Sequence, residues 1–146
     1  MTLPYLLLDI DGVLIPFPAA DGSTPPTHVR HTVLPTGRHP DDPVPIWLDP
    51  SHGCMLTDLL TSGLVTPVWC TSWRRDATTI IGPLLGLPDF PYHDLPRPLD
   101  HDWAAERTAG GTPTLIVQPD PHLGLQPEHL TEVTKWLAQL PTARAV

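Results

Sequence analysis

Tyr5-Leu6-Leu7-Leu8-Asp9-Ile10-Asp11-Gly12 is the stretch that decides the fold. Its run of apolar residues belongs to a central strand covered on both sides, and Asp11-Gly12 breaks the run. Asp9 and Asp11 stand two apart, so in extended chain they share one face while Ile10 points to the other. Gly12 lets the backbone turn sharply and approach a ligand. Two carboxylates held this close repel each other, and a hard cation such as Mg²⁺ relieves the repulsion. One carboxylate can then attack phosphorus while its neighbour handles the leaving-group proton.

Outward from this strand, the chain alternates strand and helix. Residues 16–27 are rich in Pro, Ala, Gly and Thr and form a loop. Residues 28–34 and 44–48 are expected to pair as a hairpin with a long tip. Ser51 is placed to cap a helix that runs to about Ser62, with Gly63 beyond its end. A second buried strand is expected over 64–70, followed by a helix from about Arg74 to Leu85 that Pro83 disturbs and Gly86 stops. The proline-rich stretch 87–98 is an irregular connection, and 99–109 is helical up to Gly110-Gly111. A third strand is expected over 114–118. Gln126-Pro127-Glu128 opens a last helix whose Leu130, Val133, Leu137 and Leu140 form one apolar stripe. This alternation predicts an α/β domain with a mainly parallel sheet, in which function gathers at the carboxyl ends of the strands. Asp9 and Asp11 stand at such an end.

The whole-chain totals agree with one domain. There are 146 residues, enough for a real core and too few for two comfortable ones. The 21 prolines lie between apolar runs and punctuate loops. A net charge of −8 argues against a broad nucleic-acid binding surface, though not against a local pocket for one phosphate. Cys54 and Cys70 are too few for a disulfide framework and lie in apolar contexts that predict buried thiols. No stretch has the length of a membrane span, and no signal-peptide pattern opens the chain, so a cytoplasmic protein is expected.

Leu6-Leu7-Leu8-Asp9-Ile10-Asp11-Gly12-Val13-Leu14 resembles the first signature of the haloacid dehalogenase (HAD) superfamily, an apolar strand followed by Asp-x-Asp-Gly. Pro67-Val68-Trp69-Cys70-Thr71 is similar to the second, a strand ending in Thr or Ser. The longer stretch Trp69 to Ala77 resembles small bacterial HAD proteins, to which the HAD domains of RNA-repair proteins are related. Thr114 to Pro121, Gly124-Leu125 and the Trp136 helix are similar to the same group. The resemblance implies a compact Rossmann-like fold and a Mg²⁺-dependent phosphatase acting on a phosphorylated small molecule or a nucleic-acid end. By the same resemblance, Asp9 is the nucleophile and forms an aspartyl-phosphate. Asp11 protonates the leaving group and then activates water, and the metal is held by the other Asp9 oxygen and by the Asp11 backbone carbonyl. Thr71 holds the phosphoryl oxygens. Gly12, Ser72 and Arg74 are expected beside the substrate.

The superfamily's third signature, a Lys or Arg, and its fourth, an acidic pair after another strand, are not at their usual places. The single lysine, Lys135, falls inside the last helix as a surface charge. The chain reads as shortened by about one helix–strand unit between Leu87 and Trp103. In that case strand 114–118 would move beside the first strand and Asp120 would serve as the third metal ligand, with Asp100 and Asp102 as lesser candidates. Arg97 or Arg107 would supply the missing cation. The vacated sheet edge gives a possible homodimer, and hairpin 28–48 would form a flap over the site.

Other chemistries fit less well. An isolated Asp-x-Asp often satisfies turn backbone; here it follows a strand. An EF-hand loop needs a later Gly and a closing Glu. Sugar-nucleotide transferases also use Asp-x-Asp, without the second motif. Thr71 can cap the helix that follows it; Arg74 and Arg75 start that helix, so either can meet a substrate anion, and at least one of them reads as an exposed surface charge. The eight histidines lack tight ligand spacing, His28 and His31 falling on opposite faces of a strand. The five tryptophans belong to core and hairpin contacts. The alternative function is a catalytically degenerate HAD-like domain that binds a ligand or a protein.

Overall fold

The computed structural model describes residues 3–94 and 99–140 and is a mixed α/β domain. Strand β1 (Tyr5–Leu8) lies parallel to β4 (Thr66–Trp69), with Tyr5 opposite Thr66 and Leu8 opposite Trp69. Between them in sequence, β2 (Val29–Val33) and β3 (Val44–Leu48) form the expected antiparallel hairpin, and α1 (Ser51–Leu60) follows. The chain returns past β4 through α2 (Gly82–Leu85), α3 (His101–Ala109) and α4 (Pro127–Gln139). Among the described residues no helix is long and apolar enough to cross a membrane.

The pattern of burial explains the two strands. Leu8, Ile10, Val68 and Trp69 are buried, and the ring of Trp69 stacks on Phe90 at 4.6 Å. Ile46, Leu48, Leu56, Ile81 and Leu125 complete this core. A smaller cluster joins α4 to the rest of the domain. Leu137 is buried there with Leu59 and Val65, and Leu130, Val133 and Leu140 of the expected stripe pack around them.

Four local expectations are corrected. Ser51 is the first residue of α1 and does not cap it; the Asp49 carboxylate accepts from both the Ser51 amide (2.9 Å) and its hydroxyl (2.7 Å). The expected helix 74–85 is present from Arg75 but is not a regular α-helix: Ala77–Ile81 winds as a π-helical turn that runs into the short α2. Pro83 has no N–H to close an ordinary turn there, and Gly86, at φ +68°, ends the segment.

The third correction concerns 114–118, which forms no strand. Thr114, Leu115 and Ile116 instead line an open depression with Ala104 and Thr108 of α3, and the Thr114 amide bonds to the Thr108 hydroxyl. The sheet gains a different neighbour. On the far side of β4, the Trp69 amide donates to the Pro91 carbonyl and the His93 amide donates to the Trp69 carbonyl, both at 2.9 Å. Finally, the thiols are not buried: Cys54 is exposed and Cys70 half-buried.

Candidate active site

Directly after β1 the backbone curls on itself. The Ile10 carbonyl accepts from the amides of Val13 (3.0 Å), Leu14 (2.8 Å) and Ile15 (3.0 Å), and the Gly12 amide bonds to the Ile15 carbonyl at 2.8 Å. Gly12 sits at φ +77°, and a Cβ there would meet Pro121 at 3.2 Å, so the curl needs glycine. Ile10 and Leu14 anchor the curl in the core, while Asp9 and Asp11 remain open to solvent.

Asp9 Oδ1 accepts from the Ile10 amide at 2.7 Å. Although Asp9 is exposed, the chain packed around its carboxyl desolvates it in part and pushes it above the usual carboxylate range, and the charge of Asp11 pushes the same way. The Ile10 amide opposes this shift by hydrogen bonding to Asp9, and the nearby Thr71 hydroxyl opposes it more weakly. The expected trio of Asp9, Asp11 and Thr71 is therefore together, delivered by the parallel ends of β1 and β4.

Thr71 is fixed from its own side as well. Its hydroxyl oxygen accepts from the Trp73 amide at 3.2 Å, and its carbonyl accepts from the Arg74 amide at 3.1 Å. This turn places Arg74 at φ +51°, in the left-handed region that non-glycine residues rarely adopt. It also brings in a residue that sequence reasoning missed. The Trp73 indole Nε1 donates to Asp11 Oδ1 at 3.2 Å. Its proximity to Thr71 was the available signal.

The remaining expected residues are distributed differently. Ser72 is exposed beside Thr71. Arg74 Nε points to Asp94 Oδ1 at 3.4 Å, and Arg107 lies 5.0 Å over the Trp103 ring in α3. Asp100 caps α3 by accepting from the Trp103 amide at 2.8 Å. Arg97 lies outside the described residues. Lys135 is exposed on α4. Asp120 opens a turn whose next residue, Pro121, touches the Gly12 curl, and its carboxylate accepts from the His122 amide at 2.9 Å.

The hairpin is moored to this region. Asp76, a buried carboxylate just beyond Trp73, accepts from the Thr36 amide (2.9 Å) and the Thr36 hydroxyl (2.7 Å).

The donor set decides what ion the site suits. Among the described residues, no three His, Cys, Asp or Glu side chains gather as a metal cage. Mg²⁺ does not need one, since it retains waters and takes one or two carboxylates together with phosphate oxygens. Asp9 and Asp11 supply two hard oxygen ligands whose mutual repulsion a cation relieves. Compared with known proteins, the chain matches no family model, no curated protein and no solved structure.

Proposed function

We propose that the protein is a phosphomonoesterase of the HAD type, working through Asp9 on a phosphorylated small molecule or a nucleic-acid end. The observation that carries this reading is the Asp9 carboxyl itself. It lies at the end of a parallel strand, raised by partial burial and by Asp11, with the Thr71 hydroxyl beside it. Strand ends of parallel sheets are where such sites gather, and carboxyls with raised proton affinity are found among functional positions. The Rossmann-like arrangement of the superfamily, shortened by one unit, belongs to the same proposal.

In the proposed reaction Asp9 attacks phosphorus in line, and the bond from phosphorus to the ester oxygen breaks. Asp11, as general acid, gives a proton to the departing oxygen. It then takes a proton from water as the water oxygen attacks the aspartyl-phosphate, which releases phosphate and restores Asp9. Trp73 holds one Asp11 oxygen, leaving the other for the proton. The Thr71 hydroxyl and the amides of the curl orient and neutralise the phosphoryl oxygens. Mg²⁺ held by the Asp9 carboxylate and the Asp11 backbone carbonyl would supply charge neutralisation between carboxylate and phosphate.

The test is Mg²⁺-dependent hydrolysis of a generic aryl phosphate by the native chain and by Asp9→Asn. Activity in the native chain and its loss in the variant are expected; equal activity in both removes Asp9 as nucleophile. A second reading, a degenerate domain that binds a ligand or protein, is favoured by the engagement of Arg74 with Asp94 and Arg107 with Trp103. Absence of turnover on any phosphoester, with retained phosphate binding, is the result that selects it.

A further inference from the structure

His28 and His52 form a buried pair that the proposed chemistry does not use. His52 is fully buried and His28 nearly so; their rings meet edge-on with centroids 5.7 Å apart. His52 Nε2 lies 2.7 Å from the Leu125 carbonyl, which can only accept, so this nitrogen carries the hydrogen. In the neutral ring His52 Nδ1 is then a bare acceptor, buried and without a partner, and His28 Nε2 is likewise unpartnered.

Leu125 leads straight to the carboxylate loop. Its amide donates to the Val13 carbonyl at 2.7 Å. Gly124 approaches the same carbonyl so closely that a Cβ would stand 2.7 Å from it. Farther along, the Phe17 amide donates to the Pro121 carbonyl at 2.8 Å, and His122 Nδ1 meets the Phe17 carbonyl at 3.1 Å. The 120–125 turn is thus laid along the curl after β1, and His52 fixes its inner end.

We propose that His52 is a positioning residue for the Asp11-bearing loop, acting through Leu125 and Val13, and that the His28–His52 pair must stay uncharged for this brace to hold. The inference gains its functional meaning from the phosphatase reading, on which it rests, while the brace itself is tested without turnover.

Adding a proton at His52 Nδ1 places a charge where no acceptor waits. The groups facing it are few. From the junction of β3 and α1, Asp49 Oδ2 stands 3.8 Å from Nε2, but Oδ1 of the same carboxylate is committed to Ser51. From the segment before β2, His28 presents a second imidazole whose Nδ1 meets the Thr27 hydroxyl at 3.1 Å. From the 120–125 turn comes the Leu125 carbonyl, and Asp120 there is bonded to the His122 amide. Burial lowers the proton affinity of both rings and the charge of His52 further lowers that of His28; the Leu125 carbonyl at His52, and Asp49 at both rings, only partly offset these effects. The ring hydrates, and regains ordinary proton affinity, only when the turn lifts away. Acid therefore favours the lifted turn.

The experiment is hydrogen exchange of the Leu125 amide in the full chain by NMR from pH 8 to pH 5, corrected for the intrinsic rate. α4 amides serve as the reference, and the His52 ring signal is followed in parallel. In the native chain, Leu125 protection relative to α4 should fall by up to about tenfold per pH unit between the ordinary histidine pKa and that of His52. His52→Gln retains a donor for the Leu125 carbonyl and cannot take up a proton, so its protection should stay flat. Equal pH dependence in His52→Gln overturns the proposal. So does a fall in the native chain that is unrelated to His52 titration, which decides the matter even if the variant fails to fold. The expected exchange pattern together with no phosphatase activity would sink the phosphatase reading and leave the brace standing.

Discussion

The Trp73 indole N–H and the Asp11 carboxylate are hydrogen-bonded at 3.2 Å, which joins the two strand ends that build the site. A hydrogen bond to a charged group is stronger than a neutral one and fixes direction as well as distance. Asp11 follows a tight curl and is exposed, so this bond limits its rotation where packing does not.

Trp73→Phe keeps an aromatic ring and removes the donor. If Asp11 moves the leaving-group proton, kcat on an aryl phosphate should fall about ten- to a hundredfold with little change in KM. Steady-state kinetics with saturating Mg²⁺ checks this. A change confined to KM would assign Trp73 to substrate binding instead.

Asp9 titrates above the ordinary aspartate range, first through burial and then through Asp11. If Asp9 is the nucleophile it must be ionised, so the acid limb of kcat/KM should lie above that range, and Asp11→Asn should lower the Asp9 midpoint seen by carboxyl NMR. The sign for stability is opposite to that of a salt-bridged acid. The folded state holds the Asp9 proton more tightly, so its contribution is present below the unfolded pKa and is lost as pH rises through the folded one. Asp9→Asn should therefore raise the Tm at neutral pH in metal-free buffer, and a lowered Tm would contradict the shift.

Gly124→Ala should destabilise the domain by about 1–3 kcal/mol, because its side chain is driven into the Val13 carbonyl at a left-handed backbone position. Gly22 has a similar φ of +81° with nothing within 4 Å, so Gly22→Ala carries the backbone strain without the collision. Thermal melts of the two variants isolate the contact, and equal Tm losses would show that Gly124 needs only its φ.

Asp76→Ala removes the acceptor of both Thr36 bonds and should cost about 1.5–3 kcal/mol, the range for hydrogen bonds to a charged group. Amide exchange at Thr36 should rise more than exchange in β2 and β3. If the hairpin is a flap over the site, the variant should also shift KM.

Much of the site's first element was legible in the sequence because its signals are local. The apolar run, the two-residue spacing and Gly12 are contiguous, and Thr71 ends a second apolar run. The α4 stripe and the hairpin follow from periodicity in the same way. Trp73, Asp76 and His52 were not legible, because each acquires its role from a partner far along the chain. Residues 114–118 were misread for a physical reason: Leu115 and Ile116 suit either a strand or a segment held against a helix, and only the Thr108 hydroxyl and α3 decide which. Pro83 marked a disturbance in its helix without specifying the wide turn that precedes it.

The bonds that fix the active region span unusually long stretches of chain: 40 residues from Thr36 to Asp76, 62 from Asp11 to Trp73, and 73 from His52 to Leu125. Closing loops of this length costs entropy before any contact rewards it. The site therefore belongs among the last parts of the molecule to assemble, after the hairpin and α1 have formed from neighbouring residues. No short fragment carries it, and a chain still emerging during synthesis has the carboxylates long before it has the geometry that makes them useful.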